Sequence, residues 1–216
     1  MRTNHLVLCA LSLFLGSCGS TSRDIRGRDH DAFLPAFRTI IDLRDPAADA
    51  PNRPITEVEL DIAGADGDMD NSGVMFGEYR LLEGGASMRL GRQFRDRIRL
   101  VGIMGLGFNR IDLVDRTALP LLDDHETEAG FRLGGELRLG FTDWLWVHTR
   151  VVSFVRPFDM ASTQSEIALL IGSPNSVGLL IGYKDWRYKD ESSDLPGIDE
   201  VDLRVEGLFA ALELKF

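Results

Sequence analysis

Nowhere does the 216-residue chain approach 18 consecutive apolar residues, which excludes a helical membrane span. Any membrane passage is left to a closed β-barrel, the other structure that satisfies its own backbone in lipid. Cations are also scarce: 24 Lys and Arg stand against 34 Asp and Glu, a net charge of -10. That balance argues against nucleic acid as a partner, because holding phosphates takes clustered Lys and Arg. Only three Tyr, three Trp and two Cys are present, against 22 Gly. A chain of this length builds one domain whose core needs no disulfide, and the glycines suit tight turns and crowded strand positions.

The N-terminus, "MRTNHLVLCALSLFLGSCGS", carries one cation at Arg2, an apolar stretch from Leu6 to Leu15 and small residues before Cys18. That is the layout of an export signal over residues 1–17. "LGSC", Leu15 to Cys18, resembles the bacterial lipobox. The resemblance implies cleavage before Cys18 and lipid attachment to it; a plain signal peptide cut near Gly16 or Ser17 is the alternative. Cys9 leaves with the signal, so the mature chain keeps one cysteine and forms no internal disulfide. Gly19 stands where lipoproteins retained in the inner membrane often carry Asp, and by resemblance this implies the outer membrane.

Residues 18–53 read as a lipid-anchored periplasmic linker, since positions 19–53 hold six Arg and six Asp, with Pro35, Pro46 and Pro51 breaking any pattern. Within it "PAFRTIIDLR" sets Phe37, Ile40 and Ile41 at helical spacing behind a proline, which fits either a short amphipathic helix, on a membrane surface or plugging a lumen, or a partly ordered linker.

From residue 54 the period becomes two. "ETEAGFRLGGELRLGF" puts Ala129, Phe131, Leu133, Gly135, Leu137, Leu139 and Phe141 on one face, with Glu128, Arg132, Glu136 and Arg138 on the other. The same alternation predicts eight strands, at 55–65, 79–94, 96–112, 127–141, 145–156, 163–172, 177–188 and 201–216. Short turns fall near Arg95, at Thr142–Trp144 and at Ser173–Ser176, while most of the remaining links look long. Charge divides likewise: residues 66–78 carry four acids and no base, 112–128 six acids and one Arg, and 185–202 seven acids and two bases, whereas Gly91–Arg97 is net +2. Aromatics cluster at strand ends, with Phe94, Phe141, Trp144, Trp146 and Phe216 beside the short turns and Phe108, Phe158, Tyr183, Trp186 and Tyr188 near the long loops, as two aromatic girdles would.

This pattern predicts an all-β fold, an eight-stranded antiparallel transmembrane up-and-down β-barrel over 54–216 with both termini on the periplasmic side. The alternation, the strand count and the terminal Phe216 make it resemble the small outer-membrane barrels of the OmpA/OmpX type of Gram-negative bacteria. The resemblance implies a monomer among outer-membrane lipids, with Phe216 as the signal read by the barrel-assembly machinery, and it transfers no activity. The lipobox departs from those barrels, which usually carry a plain signal peptide.

The expected role is non-enzymatic, structural or surface-interacting through acidic extracellular loops that meet divalent cations, surface polysaccharide or a partner. One alternative is a lipid-anchored, lipocalin-like carrier of an apolar ligand, whose apolar face would point inward; the lipocalin G-x-W signature is missing from the first strand. Another is an enzyme modifying lipid A. Against it, His148 and Ser153 fall on opposite faces of one strand and cannot act as base and nucleophile, and His125 has no Ser nearby. No cofactor is expected. Asp66, Asp68 and Asp70 in "DGDMDNSG" have the spacing of a Ca²⁺ or Mg²⁺ loop, although Asn71 and Gly77 stand where an EF-hand needs Gly and Glu. Inward rows of Glu and Arg, from Glu59 and Arg89 to Glu213 and Lys215, favour a lumen closed by ion pairs.

Overall fold

A computed structural model describes residues 23–43, 52–71, 74–115, 122–156, 159–172, 176–190 and 198–216. Residues 1–17, expected to be a signal peptide, and Cys18 lie outside these residues. Nine strands close into one barrel: β1 Arg23–Asp42, β2 Asn52–Asn71, β3 Val74–Phe94, β4 Ile98–Asp115, β5 Leu122–Gly140, β6 Leu145–Arg156, β7 Asp159–Gly172, β8 Val177–Asp190 and β9 Ile198–Lys215. Strands β2 to β9 are the eight predicted from alternation. The ninth, β1, runs through the segment expected to be a linker or a helix.

The helical spacing of Phe37, Ile40 and Ile41 is accidental. In β1 Phe33, Phe37 and Ile41 point outward, while Leu34, Arg38 and Ile40 point inward and are buried. Pro35, which lacks an N–H, falls where the ladder between β1 and β2 is interrupted, between Arg28 and Ala36.

An odd strand count changes the closure. Each hairpin reverses the chain, so the first and ninth strands run the same way and must pair in parallel, as they do from Arg23↔Ile198 to Ile40↔Lys215. The chain therefore enters the barrel at one end and leaves it at the other, contrary to the expectation of both termini on one side. We call the end with the Arg95–Arg97 turn and Phe216 the turn end, and the other the acidic end. At the seam Phe216 N donates to Ile40 O (2.9 Å), and Asp42 N donates to Phe216 O (2.8 Å). The terminal residue thus fastens β9 to β1, with its ring outward and exposed.

The long links also shrink. The stretch 66–78 is almost wholly strand, with only residues 72–73 between β2 and β3. Several strands run beyond their predicted ends, β2 from 65 to Asn71, β3 from 79 back to Val74 and β5 from 127 back to Leu122. They continue because the period of two continues with its polarity reversed. In β9 the outward residues change from Leu208, Ala210, Leu212 and Leu214 to Asp202, Arg204 and Glu206, and the inward ones from Glu213 and Lys215 to Val201, Leu203 and Val205. The β8–β9 register shows no shift across this change, while on the other side β1 carries an extra residue between Asp29 and Ala32, opposite Val205 and Gly207. In β8 Val177, Leu179, Ile181 and Tyr183 face out below Asp185 and Arg187, and in β4 Leu106 and Phe108 face out below Arg110 and Asp112. The barrel has two storeys with opposite dress.

Candidate functional site

The storey at the turn end is lined by charge. Inward side chains of β1 to β9 bring Arg38, Glu57, Glu59, Arg89, Arg99, Glu136, Arg138, His148, Arg150, Glu166, Lys184 and Glu213 into one buried network. Arg89 sits at its centre: Nη1 donates to Glu59 Oε2 (2.5 Å), Nη2 to Glu136 Oε1 (2.5 Å), and Nε lies 3.2 Å from Glu57 Oε2. Arg138 forks onto Glu213 with two bonds of 2.6 Å, and Lys215 Nζ donates to Glu57 Oε1 at 2.6 Å. Arg150 donates to Glu59 Oε1 (2.6 Å), and Arg132 grips Asp61 with both terminal nitrogens.

Bulky guanidinium groups fit so narrow a lumen because small residues face them. A Cβ on Gly85 would lie 2.8 Å from Arg132 Cδ, and one on Gly107 would lie 2.5 Å from it. Pairing offsets the cost of burying each charge, which alone would be several kcal/mol. With Arg89, Glu57, Glu59 and Arg138 all inaccessible to water, this level is plugged by side chains.

The boundary between storeys is marked by cations over aromatic faces. Lys184 Nζ stands 5.0 Å from the Trp186 ring and 5.4 Å from Phe209, and Arg38 stands 5.5 Å from Phe209. Beyond them the interior is an apolar core of Leu34, Leu81, Ile111, Leu113, Trp186, Tyr188, Leu203 and Val205. Tyr79 closes it, donating to Asp29 Oδ2 at 2.8 Å.

At the acidic end this core meets Glu126, Glu128 and Asp190, whose carboxylate oxygens lie within 4.8 Å of one another. Arg156 reaches in from β6, pairing with Glu128 and donating to Asp190 Oδ1 at 2.5 Å. Burial, with Glu126 and Asp190 adding to it against the pull of Arg156, pushes the Glu128 carboxyl up to about 8. Folding takes up a proton that the unfolded chain, titrating near 4.5, has already released, so this contribution is full below about pH 4.5 and is lost as pH rises toward 8. The urea midpoint is expected to fall between pH 5 and pH 8.5, and Glu128→Gln to flatten that part of the slope.

The predicted metal residues are not brought together as a loop. Asp66 and Asp68 sit on alternate positions of extended β2, both facing outward, opposite Arg80 and Glu78 of β3. The side chain of Asp70 is outside the described set. The acids that do converge, Glu126, Glu128 and Asp190, come from strands far apart in sequence. The signal that could have found Glu126 and Glu128 is their position on the Arg132–Glu136–Arg138 face of β5. His148 is buried, with Nε2 3.5 Å from Glu166, and Ser153 faces away from the lumen, its Oγ 3.2 Å from Thr163 Oγ1. The two are on opposite faces, as the alternation requires. Comparison with protein-family models, with curated proteins and with solved structures finds no match for the chain.

Proposed function

We propose that this is a bacterial outer-membrane barrel, non-enzymatic and closed to solutes, which acts through the polar surface of its acidic end. The carrying observation is the inversion of polarity. Residues from Leu208 to Phe216 alternate apolar outward, and nine residues at about 3.3 Å each, tilted by about 40°, span roughly 20–25 Å, the height of the apolar band of an outer-membrane barrel. A soluble carrier would hold its apolar face inward along the whole barrel. Here the turn-end lumen is packed with ion pairs, and the apolar interior of the other storey is filled by its own side chains.

The other storey is dressed as a water-soluble barrel. Its outer face is laced with ion pairs such as Arg204–Asp185 (2.9 Å) and Arg187–Asp202 (3.0 Å), and it offers acids to cations, polysaccharide or a partner. We place the turn end, with Phe216, in the periplasm and the acidic end outside. Because Arg23 enters β1 at the acidic end, a lipid on Cys18 five residues earlier would lie at the outer surface, not on the periplasmic side.

Single cysteines test the orientation. In a Cys18→Ala background, Arg187→Cys is expected to react with a membrane-impermeant maleimide on intact cells and Arg95→Cys to react only after lysis. The reverse pattern would invert the orientation, and equal labelling of both on intact cells would remove the membrane reading.

A further inference from the structure

The turn end carries cations that the barrel itself does not neutralise. Arg92 faces outward from β3, between Leu90 and Phe94 on its own strand and opposite Leu100 and Pro54 on its neighbours. Three residues on, Arg95 and Asp96 are the central pair of the Arg95–Arg97 turn, with φ of 47° and 55° and Arg97 N donating to Phe94 O at 3.1 Å. Such turns favour Asn and Gly, because a Cβ at positive φ costs about 1–2 kcal/mol. An arginine therefore stands where its backbone is disfavoured. The nearby acids are engaged elsewhere: Asp96 accepts from Gln93 Nε2 (3.3 Å), and Asp143 lies 3.3 Å from Arg97. Among the described residues Arg92 and Arg95 have no carboxylate partner. Arg97 ties this turn to the β5–β6 turn through Gly140 N and Asp143, and there Phe141 and Trp144 are exposed at the lower edge of the apolar band.

We propose that Arg92 and Arg95 form a binding surface for the headgroup phosphate of anionic phospholipid in the leaflet at the turn end. This rests on the membrane reading above. Arg92 starts among apolar side chains, so its stem lies along the acyl chains while its guanidinium reaches the headgroup layer. The guanidinium fork then meets phosphate oxygens, as it does wherever Arg holds that group. In a protein of net charge -10, this basic rim gives the barrel two electrically unlike ends.

The protein carries its own reporter. Trp146 and Trp186 point inward and are 4% and 0% exposed, whereas Trp144, at 58%, faces out at this rim. The full-length protein is reconstituted in phosphatidylcholine vesicles containing equal mole fractions of phosphatidylglycerol, with bromine on the acyl chains of one lipid or the other. Brominated phosphatidylglycerol is expected to quench Trp144 with about fivefold higher relative affinity than brominated phosphatidylcholine. Arg92→Gln with Arg95→Asn should bring the two to parity, as should raising the salt to about 1 M. Arg95→Asn also relieves the turn, so its urea midpoint should be at or above that of the parent, which separates loss of lipid preference from loss of fold. Equal quenching in the parent protein, or an unchanged preference in the double variant, would overturn the proposal while leaving the barrel in the membrane. Quenching by neither lipid would remove the membrane reading and the proposal with it.

Discussion

Arg89→Met is expected to destabilise the barrel by about 3–5 kcal/mol, measured by urea unfolding in lipid vesicles. The guanidinium is 0% exposed and stands between Glu57, Glu59 and Glu136, so its removal leaves three carboxylates in a dry lumen with fewer cations to hold them. The size of the effect comes from those stranded charges and not from the net strength of the pairs, because a buried pair replaced as a whole by apolar side chains is often neutral. Adding Glu59→Gln to Arg89→Met should accordingly recover part of the loss. Arg204→Met removes a cation that is 40% exposed in its side chain, and there the cost should stay below about 1 kcal/mol. Equal costs at Arg89 and Arg204 would mean that the lumen is wet.

The second large effect is on the outer face. Met104 and Leu133 are cross-strand partners midway down the apolar band, and both are exposed. An arginine at either position is expected to cost about 2–4 kcal/mol in a bilayer, because a cation at mid-depth must be dragged to the interface or hydrated in place. His125→Arg, on the same strand as Leu133 but beyond the polarity change and opposite Asp112, should fall within about 0.5 kcal/mol of the parent. In a water-soluble barrel all three substitutions would be near neutral, so the depth dependence is informative in itself.

Much of this was legible in the sequence because a strand's side-chain period is two and the outward band is apolar for seven to nine residues at a time. Strands β2 to β9 and the inward rows of Glu and Arg could be read from that alternation. β1 could not. Ile40 and Ile41 are adjacent, one buried in the lumen and one facing out, and adjacent apolar residues near prolines imitate a helix. The acidic storey was hidden for a related reason. When polarity inverts, Val201, Leu203 and Val205 keep the period but change faces, and the strand read over 201–216 carried no sign of a second storey with its faces exchanged. Residues 66–78 looked like an acidic loop for the same reason, though Ala65 points inward there between Gly64 and Asp66 on a continuing strand. The closure of the barrel depended on counting β1. One strand more makes the seam parallel and moves the chain's entry to the opposite end.

The Glu126–Glu128–Asp190 cluster needed the fold itself. Asp190 lies more than 60 positions beyond Glu126 and Glu128, and only the lean of β5, β6 and β8 around the barrel brings the three to Arg156. By contrast Asp66 and Asp68 are close in sequence, and an extended strand holds such alternate residues about 6.6 Å apart on one face.

The central claim is that the band from Leu208 to Phe216 and its counterparts around the barrel lies in lipid. Fractionating cells that express the Cys18→Ala protein tests it most directly, because that change removes the proposed site of lipid attachment and leaves the barrel. This protein is expected to stay in the membrane fraction through alkaline carbonate extraction, and to migrate differently in mild detergent before and after boiling. A soluble monomer released without detergent, with one mobility in both conditions, would contradict it.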